Sequence, residues 1–447
     1  MDPILIRGGR VIDPAQGIDR TADLLLAEGV VRGVYGRRAA AAGARVIEAE
    51  GMVVCPGFID LHCHLREPGF EYKEPIATGT LAAARGGFTA VCAMPNTEPV
   101  IDSRALVDFV LRKAREEASV RVMVIGAVTK GSKGAGLAEM AELAETGVVG
   151  FSDDGHPVAD PNVMRQALSY SSSLGLPIIN HCEAPELSAG GAANEGWVAT
   201  RLGLKGIPNA AEEIMVARDI SLAQTTGGRL HIAHASTAGT MDLVRQAKER
   251  GVNVTCEATP HHLTLSDEAL LGQEAGGQAF SPLTGSAYDT NAKVAPPLRA
   301  RSDVDAVVQA LKDGVVDLIA TDHAPHNQVE KLCTFEEAAS GISVLETALG
   351  SLMSLVHTMD LPLPLLIDRL TAAPARFLGV ELGTLKPGAT ADVTIFDPDA
   401  EWVVDASTFA SKGKNTPLDG TTLKGQVVAT IVGGVVKYEE ANAASAE

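Results

Sequence analysis

The sequence lacks the features that identify a nucleic-acid-binding or membrane protein. Its 37 lysine and arginine residues are outnumbered by 56 aspartate and glutamate residues, which gives a formal net charge of −19. Nucleic acids and anionic membrane surfaces require clustered positive charge, so we expect neither as a partner. No apolar stretch reaches the roughly 20 residues of a membrane span, and the first residues show no secretory pattern. We therefore expect a cytoplasmic protein.

Several motifs of covalent and redox chemistry are also missing. The six cysteines have no CxxC spacing and lie mostly inside apolar runs, which predicts reduced, buried thiols rather than disulfides. There is no Gly-x-Ser-x-Gly elbow. Gly126 and Gly131 have the spacing of a phosphate loop, but Ser132 stands where that motif requires lysine. Nucleophilic-serine and phosphate-loop chemistry are therefore not favoured.

The distribution of apolar residues predicts an α/β fold with two domains. A chain of 447 residues exceeds the roughly 250–300 that usually share one core. Residues 1–55 and 380–440 contain short strands and turns, and we expect them to form one small β-sandwich domain together. Between them, strands alternate with amphipathic helices, which predicts a (β/α)8 TIM-type barrel over residues 56–379. A doubly wound sheet is the alternative, but no GxGxxG motif follows the early strands.

Eight apolar runs supply the strands predicted for this barrel. They are Val53–Leu61, Phe88–Met94, Val120–Val128, Val148–Phe151, Pro177–Asn180, Leu230–Ala235, Val252–Ala258 and Val316–Ala320. Active-site groups of such barrels collect where the strands end. Here the strand ends carry polar or metal-binding side chains, whereas the strand interiors are almost entirely apolar.

The polar strand ends predict a metal site. Side chains alternate along a strand, so His62 and His64 share one face, whereas His231 has the opposite parity to His234. The candidate ligands are His62, His64, His181, His234, Asp322 and one of the pair Asp153 and Asp154. Four imidazoles and two carboxylates suit Zn²⁺, and also Mn²⁺ or Co²⁺. Six ligands are enough for two metals that share a carboxylate.

Longer motifs carry a resemblance to a known family. They are Gly57–Gly69 (GFIDLHCHLREPG), Met94–Thr97 (MPNT), Phe151–Gly155 (FSDDG), Thr259–Leu263 (TPHHL), Ala320–His326 (ATDHAPH) and Lys414–Pro417 (KNTP). With these motifs the chain resembles the amidohydrolase superfamily and, within it, the dihydroorotases of the bacterial class I type. The resemblance extends over essentially the whole length.

The resemblance implies a role for each candidate residue. His62, His64 and Asp322 would hold one metal, His181 and His234 the second, and Asp154 rather than Asp153 would bridge them. The absence of a nearby lysine argues against the carboxylated-lysine bridge of many relatives. Arg66, Asn96 and His326 would hold the substrate carboxylate. The implied reaction is reversible hydrolysis of dihydroorotate to N-carbamoyl-aspartate in pyrimidine biosynthesis, with Asp322 as general base and then general acid.

Some features leave alternatives open. Ala295 and Ala339–Gly341 depart from the family pattern at positions that shape the pocket, and the polar stretch 271–293 predicts a lid. The alternatives are another cyclic-amide hydrolase, such as a hydantoinase or allantoinase, and a non-catalytic partner of aspartate carbamoyltransferase. The family suggests a homodimer. The sequence leaves open the metal's identity and occupancy, the oligomeric state and any complex with the carbamoyltransferase.

Overall fold

The computed structural model describes residues 2–36, 43–275 and 286–440. Residues 276–285, the centre of the expected lid, lie outside the described residues. The strands are β1 (Ile4–Asp13), β2 (Ile18–Ala27), β3 (Val30–Tyr35), β4 (Arg45–Glu48), β5 (Val53–Pro56), β6 (Phe58–Cys63), β7 (Phe88–Ala93), β8 (Arg121–Val124), β9 (Ile178–Asn180), β10 (Ala193–Asn194), β11 (Gly206–Ile207), β12 (Leu230–Ile232), β13 (Val254–Ala258), β14 (Leu318–Ile319), β15 (Val393–Val403), β16 (Thr422–Val432) and β17 (Val435–Glu439).

The α-helices lie mostly between the central strands, in the alternation expected of an α/β fold. They are α1 (Ile76–Arg85), α2 (Arg104–Glu117), α3 (Met140–Thr146), α4 (Pro161–Leu174), α5 (Pro185–Ser188), α6 (Trp197–Leu202), α7 (Ala210–Thr226), α8 (Ala238–Glu249), α9 (Pro260–Thr264), α10 (Arg301–Lys312), α11 (Ala348–Thr358), α12 (Leu363–Leu370) and α13 (Ala372–Leu378). None of the helices in the described ranges is long and apolar enough to cross a membrane.

The central strands pair in parallel. β6, β7 and β8 form one ladder, and β9, β12, β13 and β14 form another. Parallel bridges from Phe151 to Gly126 and Ile178 join the two ladders on one side, and a bridge between Cys63 and His323 joins them on the other. Residues 148–151, which the sequence predicts to be a strand, therefore contribute isolated bridges at Phe151 but no strand of their own. Because the strands are parallel, their carboxyl ends meet on one face.

Strands from both ends of the chain form a separate sheet of eight strands. Its order is β17-β16-β15-β5-β1-β2-β3, and β4 pairs with β1. β5 pairs in parallel with β1 and antiparallel with β15, so it connects the two ends of the chain. Apolar side chains from several strands of this sheet, including Ile6, Leu24, Val54 and Ile395, pack in one buried cluster.

The prediction of one continuous strand over Val53–Leu61 is wrong. The run divides at Gly57: β5 belongs to the terminal sheet, and β6 belongs to the parallel strands. A Cβ at Gly57 would lie 2.1 Å from Oγ1 of Thr89, so only glycine fits this close approach. The chain therefore passes from the terminal sheet to the parallel strands at Gly57, where Thr89 of β7 lies close to it.

The core beneath the carboxyl ends is small and apolar. Leu61, Met94, Ile125, Ile179 and Leu318 belong to one buried cluster contributed by different strands. All six cysteines are free, and five of them are buried, with Cys333 exposed. The strands thus form an apolar base, and the polar groups lie at its edge.

Candidate metal and substrate site

The structure brings the predicted ligand residues together. His62 lies near the end of β6 and His64 just beyond it, whereas His181, His234 and Asp322 follow β9, β12 and β14. Asp154 follows the bridged Phe151. All six side chains are buried. The site is therefore assembled from residues at the carboxyl ends of neighbouring parallel strands, as the sequence pattern indicated.

One group of ligand atoms is formed by His62, His64 and Asp322, which lie within 4.8 Å of one another. Oδ1 of Asp322 is 3.0 Å from Nε2 of His64 and 3.5 Å from Nε2 of His62. Imidazole nitrogens and a carboxylate oxygen facing a common point are the donor set of a zinc-type site. This group contains the two histidines of the His-x-His motif.

Asp154 lies between this group and the remaining histidines. Its Oδ1 is 3.4 Å from Nε2 of His62, 3.6 Å from Nε2 of His234 and 3.9 Å from Nδ1 of His181. Its Oδ2 is 3.5 Å from Nε2 of His64. One carboxylate thus faces all four imidazoles, the geometry that a bridging ligand requires.

Asp153, the other member of the acidic pair, has a different environment. Its Oδ1 accepts hydrogen bonds from the backbone N–H groups of Val128 and Thr129, at 2.8 and 3.0 Å. Its Oδ2 accepts the hydroxyl of Thr129. Asp153 therefore fixes the loop after β8 and uses its oxygens there.

Several buried polar atoms of the cluster lack a hydrogen-bond partner in the described part of the chain, which is what atoms that bind a metal would show. Nε2 of His62, Oδ1 of Asp154 and Nδ1 of His234 are buried without a hydrogen-bond partner among the described residues. Buried polar atoms without partners are rare in proteins because their desolvation is costly. Burial opposes ionisation of Asp322 and Asp154, but the neighbouring histidines outweigh it and lower the pKa of both carboxyls. Ionised carboxylates beside an imidazole nitrogen left unpartnered by the described residues, Nε2 of His62 at 3.4 Å from Oδ1 of Asp154, suit a divalent cation. Nε2 of His234, which faces the same carboxylate, lies 2.9 Å from Nδ1 of His181.

Three residues of the site have unusual backbone conformations. Arg66, His234 and Asp322 have φ values of 57°, 33° and 47°, in the left-handed region that L-residues rarely adopt. Such conformations cost about 1–3 kcal/mol each and persist only where the surrounding structure imposes them. The turns after β6, β12 and β14 thus direct these side chains into the site.

The predicted substrate residues line the same cavity as the ligand cluster. Arg66, Asn96 and His326 face a cavity of about 320 Å³ that is also lined by His64 and Asp322. Nη2 of Arg66 lies 3.4 Å from Nε2 of His326, and Oδ1 of Asn96 lies 2.9 Å from Nδ1 of His64. A guanidinium, an amide and an imidazole therefore surround a space next to the cluster.

His326 is held as a neutral imidazole. Burial, followed by the positive charges of Arg66 and Lys73, lowers its pKa to about 2. Its Nε2 lies 2.9 Å from the carbonyl oxygen of Ser340, and its backbone N–H donates to Oδ1 of Asn415 at 2.8 Å. Ser340 thus holds the ring, and Asn415 holds the backbone that carries it.

Sequence reasoning missed Glu257, which supports the cluster from behind. Its Oε1 lies 2.8 Å from Nδ1 of His62, and its Oε2 lies 3.1 Å from Nε2 of His231. Burial opposes ionisation of this carboxyl, but hydrogen bonds with His231 and His62 lower its pKa to about 2. The sequence signal that could have identified Glu257 is a carboxylate inside the apolar run 252–258. His231 contacts Glu257 and Thr255, consistent with its strand parity.

Comparisons with known proteins agree with this geometry. A model of dihydro-orotase-like proteins matches residues 51–240, and one of the amidohydrolase family matches residues 187–438. Dihydroorotases from Geobacter metallireducens and Pelotomaculum thermopropionicum are each 51% identical to this chain, over 436 and 438 residues, which is 98% of the chain and 99% of each relative.

Solved structures show the same fold. The L-hydantoinase (dihydropyrimidinase) from Arthrobacter aurescens superposes with a TM-score of 0.84 at 25% identity, over 98% of this chain and 96% of its own. The dihydropyrimidinase from Brevibacillus agri gives 0.81 at 24% identity, over 97% and 94%. The fold and the ligand cluster thus define the class as an amidohydrolase, a hydrolase of cyclic amides. Within that class the chain belongs to the dihydroorotase family, which confirms the resemblance carried by its motifs.

Proposed function

We propose that this chain catalyses the reversible hydrolysis of dihydroorotate to N-carbamoyl-L-aspartate, in the cytoplasm, as a step of pyrimidine biosynthesis. The observation that carries the proposal is the position of Arg66. Its guanidinium lines the same cavity as His64 and Asp322 of the ligand cluster. A fixed cation beside the cluster suits a cyclic amide that bears a ring carboxylate, because guanidinium binds carboxylate through two parallel hydrogen bonds.

The six clustered residues would hold two divalent cations, and we propose zinc, with manganese or cobalt as substitutes. His62, His64 and Asp322 would hold one, His181 and His234 the other, with Asp154 between them. When bound, the metals supply Lewis acidity toward the ring carbonyl and lower the pKa of the attacking water. The short distances from Asp154 to all four imidazoles support this assignment.

Asp322 is the group we propose for proton transfer. Its carboxylate is ionised, buried and open to the cavity. It would accept the proton of the water that attacks the ring carbonyl and deliver it to the ring nitrogen that departs. In the reverse direction it would take the proton from the same nitrogen, so one carboxylate serves both directions.

Arg66, Asn96 and His326 would recognise the substrate carboxylate. Arg66 supplies the charge, and the neutral ring of His326, whose Nε2–H donates to the carbonyl oxygen of Ser340, lies 3.4 Å from Nη2 of Arg66 and would position it. Nδ2 of Asn96 points toward Asp154, 3.5 Å from its Oδ2, so the amide lies between the carboxylate subsite and the cluster. Arg66 would disfavour uncharged rings, since its buried guanidinium would then lack the carboxylate that two parallel hydrogen bonds would pair with it.

We propose further that the parallel strands close into a (β/α)8 barrel over residues 56–379. The bridges of Phe151 and of Cys63 with His323 support closure. The terminal sheet would form the β-sandwich of residues 1–55 and 380–440. A homodimer and a complex with aspartate carbamoyltransferase stay predictions from the family resemblance.

Arg66→Lys tests the carboxylate-binding role. Lysine keeps the charge but lacks the second parallel hydrogen bond, so we expect KM for dihydroorotate to rise by about tenfold or more with bound metal unchanged. Arg121→Lys is the matched control, because Arg121 makes a two-pronged contact with Asp392 outside the cavity. Equal activity of the two variants would contradict the assignment. Faster turnover of dihydrouracil or allantoin than of dihydroorotate would favour a hydantoinase or allantoinase instead.

A further inference from the structure

Three irregular segments form one wall of the cavity. Val294 and Ala295 come from the first, His326 from the second, and Ser340 and Gly341 from the third. None of these residues lies in a helix or strand. Beyond the bridge between His323 and Ile342 and the side-chain bonds of Asn415 to Ala324 and Gly341, the shape of the wall depends on contacts between the three segments.

Lys331 makes contacts that join all three segments. Its Nζ donates to the carbonyl oxygens of Thr290 at 3.0 Å, Lys293 at 3.4 Å and Ala339 at 2.6 Å. The residue is only 5% exposed. An ammonium group has three N–H donors, and here three carbonyl acceptors converge on it. The neighbouring Glu330 pairs with Lys73 instead, at 2.7 Å.

Further hydrogen bonds make these segments one unit. The backbone N–H of Gly341 donates to the carbonyl of Lys293 at 2.9 Å, and the hydroxyl of Thr290 donates to the carbonyl of Lys331 at 2.6 Å. Gly341 is so close to its neighbours that an added Cβ would lie 2.6 Å from the carbonyl oxygen of Ala324. A displacement of Lys331 would therefore move the wall that faces the substrate.

The wall is connected directly to a proposed substrate residue. Lys331 donates to the carbonyl of Ala339, and the carbonyl of the next residue, Ser340, lies 2.9 Å from Nε2 of His326. In its protonated form Lys331 also acts on His326, after Arg66 and Lys73; burial, followed by the charge of Lys293, lowers the pKa of Lys331 itself to about 7. The carbonyl contact fixes the ring, and the positive charges beside it favour an anionic group near His326.

We propose that Lys331 is a positioning residue that sets substrate selectivity: it holds residues 293–295 and 339–341 against His326, so that the cavity accepts a ring carboxylate. The inference rests on the proposed dihydroorotate hydrolysis for the nature of the anion. It assigns Lys331 no contact with the reacting atoms. Selectivity in this account depends on a buried ammonium behind the wall as well as on Arg66 in front of it.

Lys331→Met tests the role, because methionine keeps part of the apolar stem and removes the donors and the charge. With metal-loaded protein we expect KM for dihydroorotate to rise by about tenfold or more, with kcat and bound metal within about twofold, as loss of uniform binding requires. Lys248→Met is the matched control. Nζ of Lys248 also donates to a backbone carbonyl, that of Val315 at 2.7 Å, away from the cavity. An unchanged KM in Lys331→Met would overturn the proposal.

Hydrogen exchange gives a second readout that needs no turnover. We expect amides of 290–295 and 339–341 to lose protection in Lys331→Met and to keep it in Lys248→Met, and equal protection in both variants would overturn the proposal. If the wild-type protein fails to open dihydroorotate, the proposed function fails, whereas the exchange experiment still decides the positioning role. If Lys331→Met does not fold, Lys331→Arg is used, which keeps the charge but replaces the compact ammonium by a larger planar group that cannot meet the same three carbonyl oxygens, so KM should again rise. A KM for Lys331→Arg equal to that of the wild type, together with unchanged exchange, would also contradict a role for three converging contacts.

Discussion

Replacing Glu257 by glutamine should weaken metal binding although Glu257 is not itself a proposed ligand. The carboxylate accepts from Nδ1 of His62 at 2.8 Å and from the backbone N–H of His234 at 3.3 Å, so it orients residues of both proposed metal positions. Glutamine has nearly the same shape but no charge. The glutamine amide would also place an N–H donor where Glu257 now offers a carboxylate oxygen to Nδ1 of His62 and to Nε2 of His231.

The size of the effect follows from what such supporting carboxylates contribute. Loss of a hydrogen-bonded partner behind a metal-binding imidazole typically reduces metal affinity by about 10–100-fold, which corresponds to about 1.4–2.8 kcal/mol. We expect Glu257→Gln within this range. Competition of the metal-free protein with a chromophoric zinc chelator measures the affinity directly and does not depend on turnover.

Glu346→Gln provides the control for removing a largely buried carboxylate. Glu346 accepts from the backbone N–H groups of Ala410 and Ser411 and pairs with Arg85, with no contact to the cluster. Its replacement should leave zinc affinity within about twofold. Equal zinc affinities for Glu257→Gln and the wild-type protein would refute the reasoning, because the carboxylate would then have no influence on the imidazole it contacts.

Two further predictions concern proton chemistry. Asp322→Asn should reduce kcat by about 10²–10⁴-fold with metal still bound, because the amide can ligate but cannot accept the proton; retained turnover would make another residue the base. His326 has a pKa of about 2 in the folded protein and an ordinary value of 6.5, so between these values the unfolded chain binds more protons. The free energy of unfolding should therefore fall as pH drops below about 6.5, by up to about 1.4 kcal/mol per pH unit. Other buried histidines, such as His262 with its pKa lowered to about 4, contribute a similar loss to both proteins. Urea unfolding of metal-free wild type and His326→Gln at pH 7 and pH 5 should therefore show a larger loss in the wild type, and equal losses would contradict the role of His326.

Local patterns were sufficient for much of the site. Alternation along a strand placed His62 and His64 on one face, and the rule that parallel strands share an edge brought His181, His234 and Asp322 to the same place. Both rules need only the chain's own periodicity. Strand parity and strand ends also pointed to Arg66, Asn96 and His326, and the resemblance of longer motifs then added their role in holding the substrate carboxylate.

Long-range contacts account for what the sequence did not predict. Glu257 and His62 are 195 positions apart, and only the three-dimensional arrangement of the strands shows that they meet. Lys331 looks like a surface residue in a polar loop, but three carbonyl groups surround it, two of them from residues about 40 positions away. The division of the run 53–61 at Gly57 likewise depends on the close approach of Thr89.

The most direct test of the central claim is ring opening by purified, metal-free protein titrated with zinc. The account predicts that activity on dihydroorotate rises until about two equivalents are bound per chain, with dihydrouracil and allantoin left intact. Turnover of the uncharged rings in preference to dihydroorotate would contradict the role of Arg66. Absence of zinc binding would contradict the metal site and make a non-catalytic role the better account.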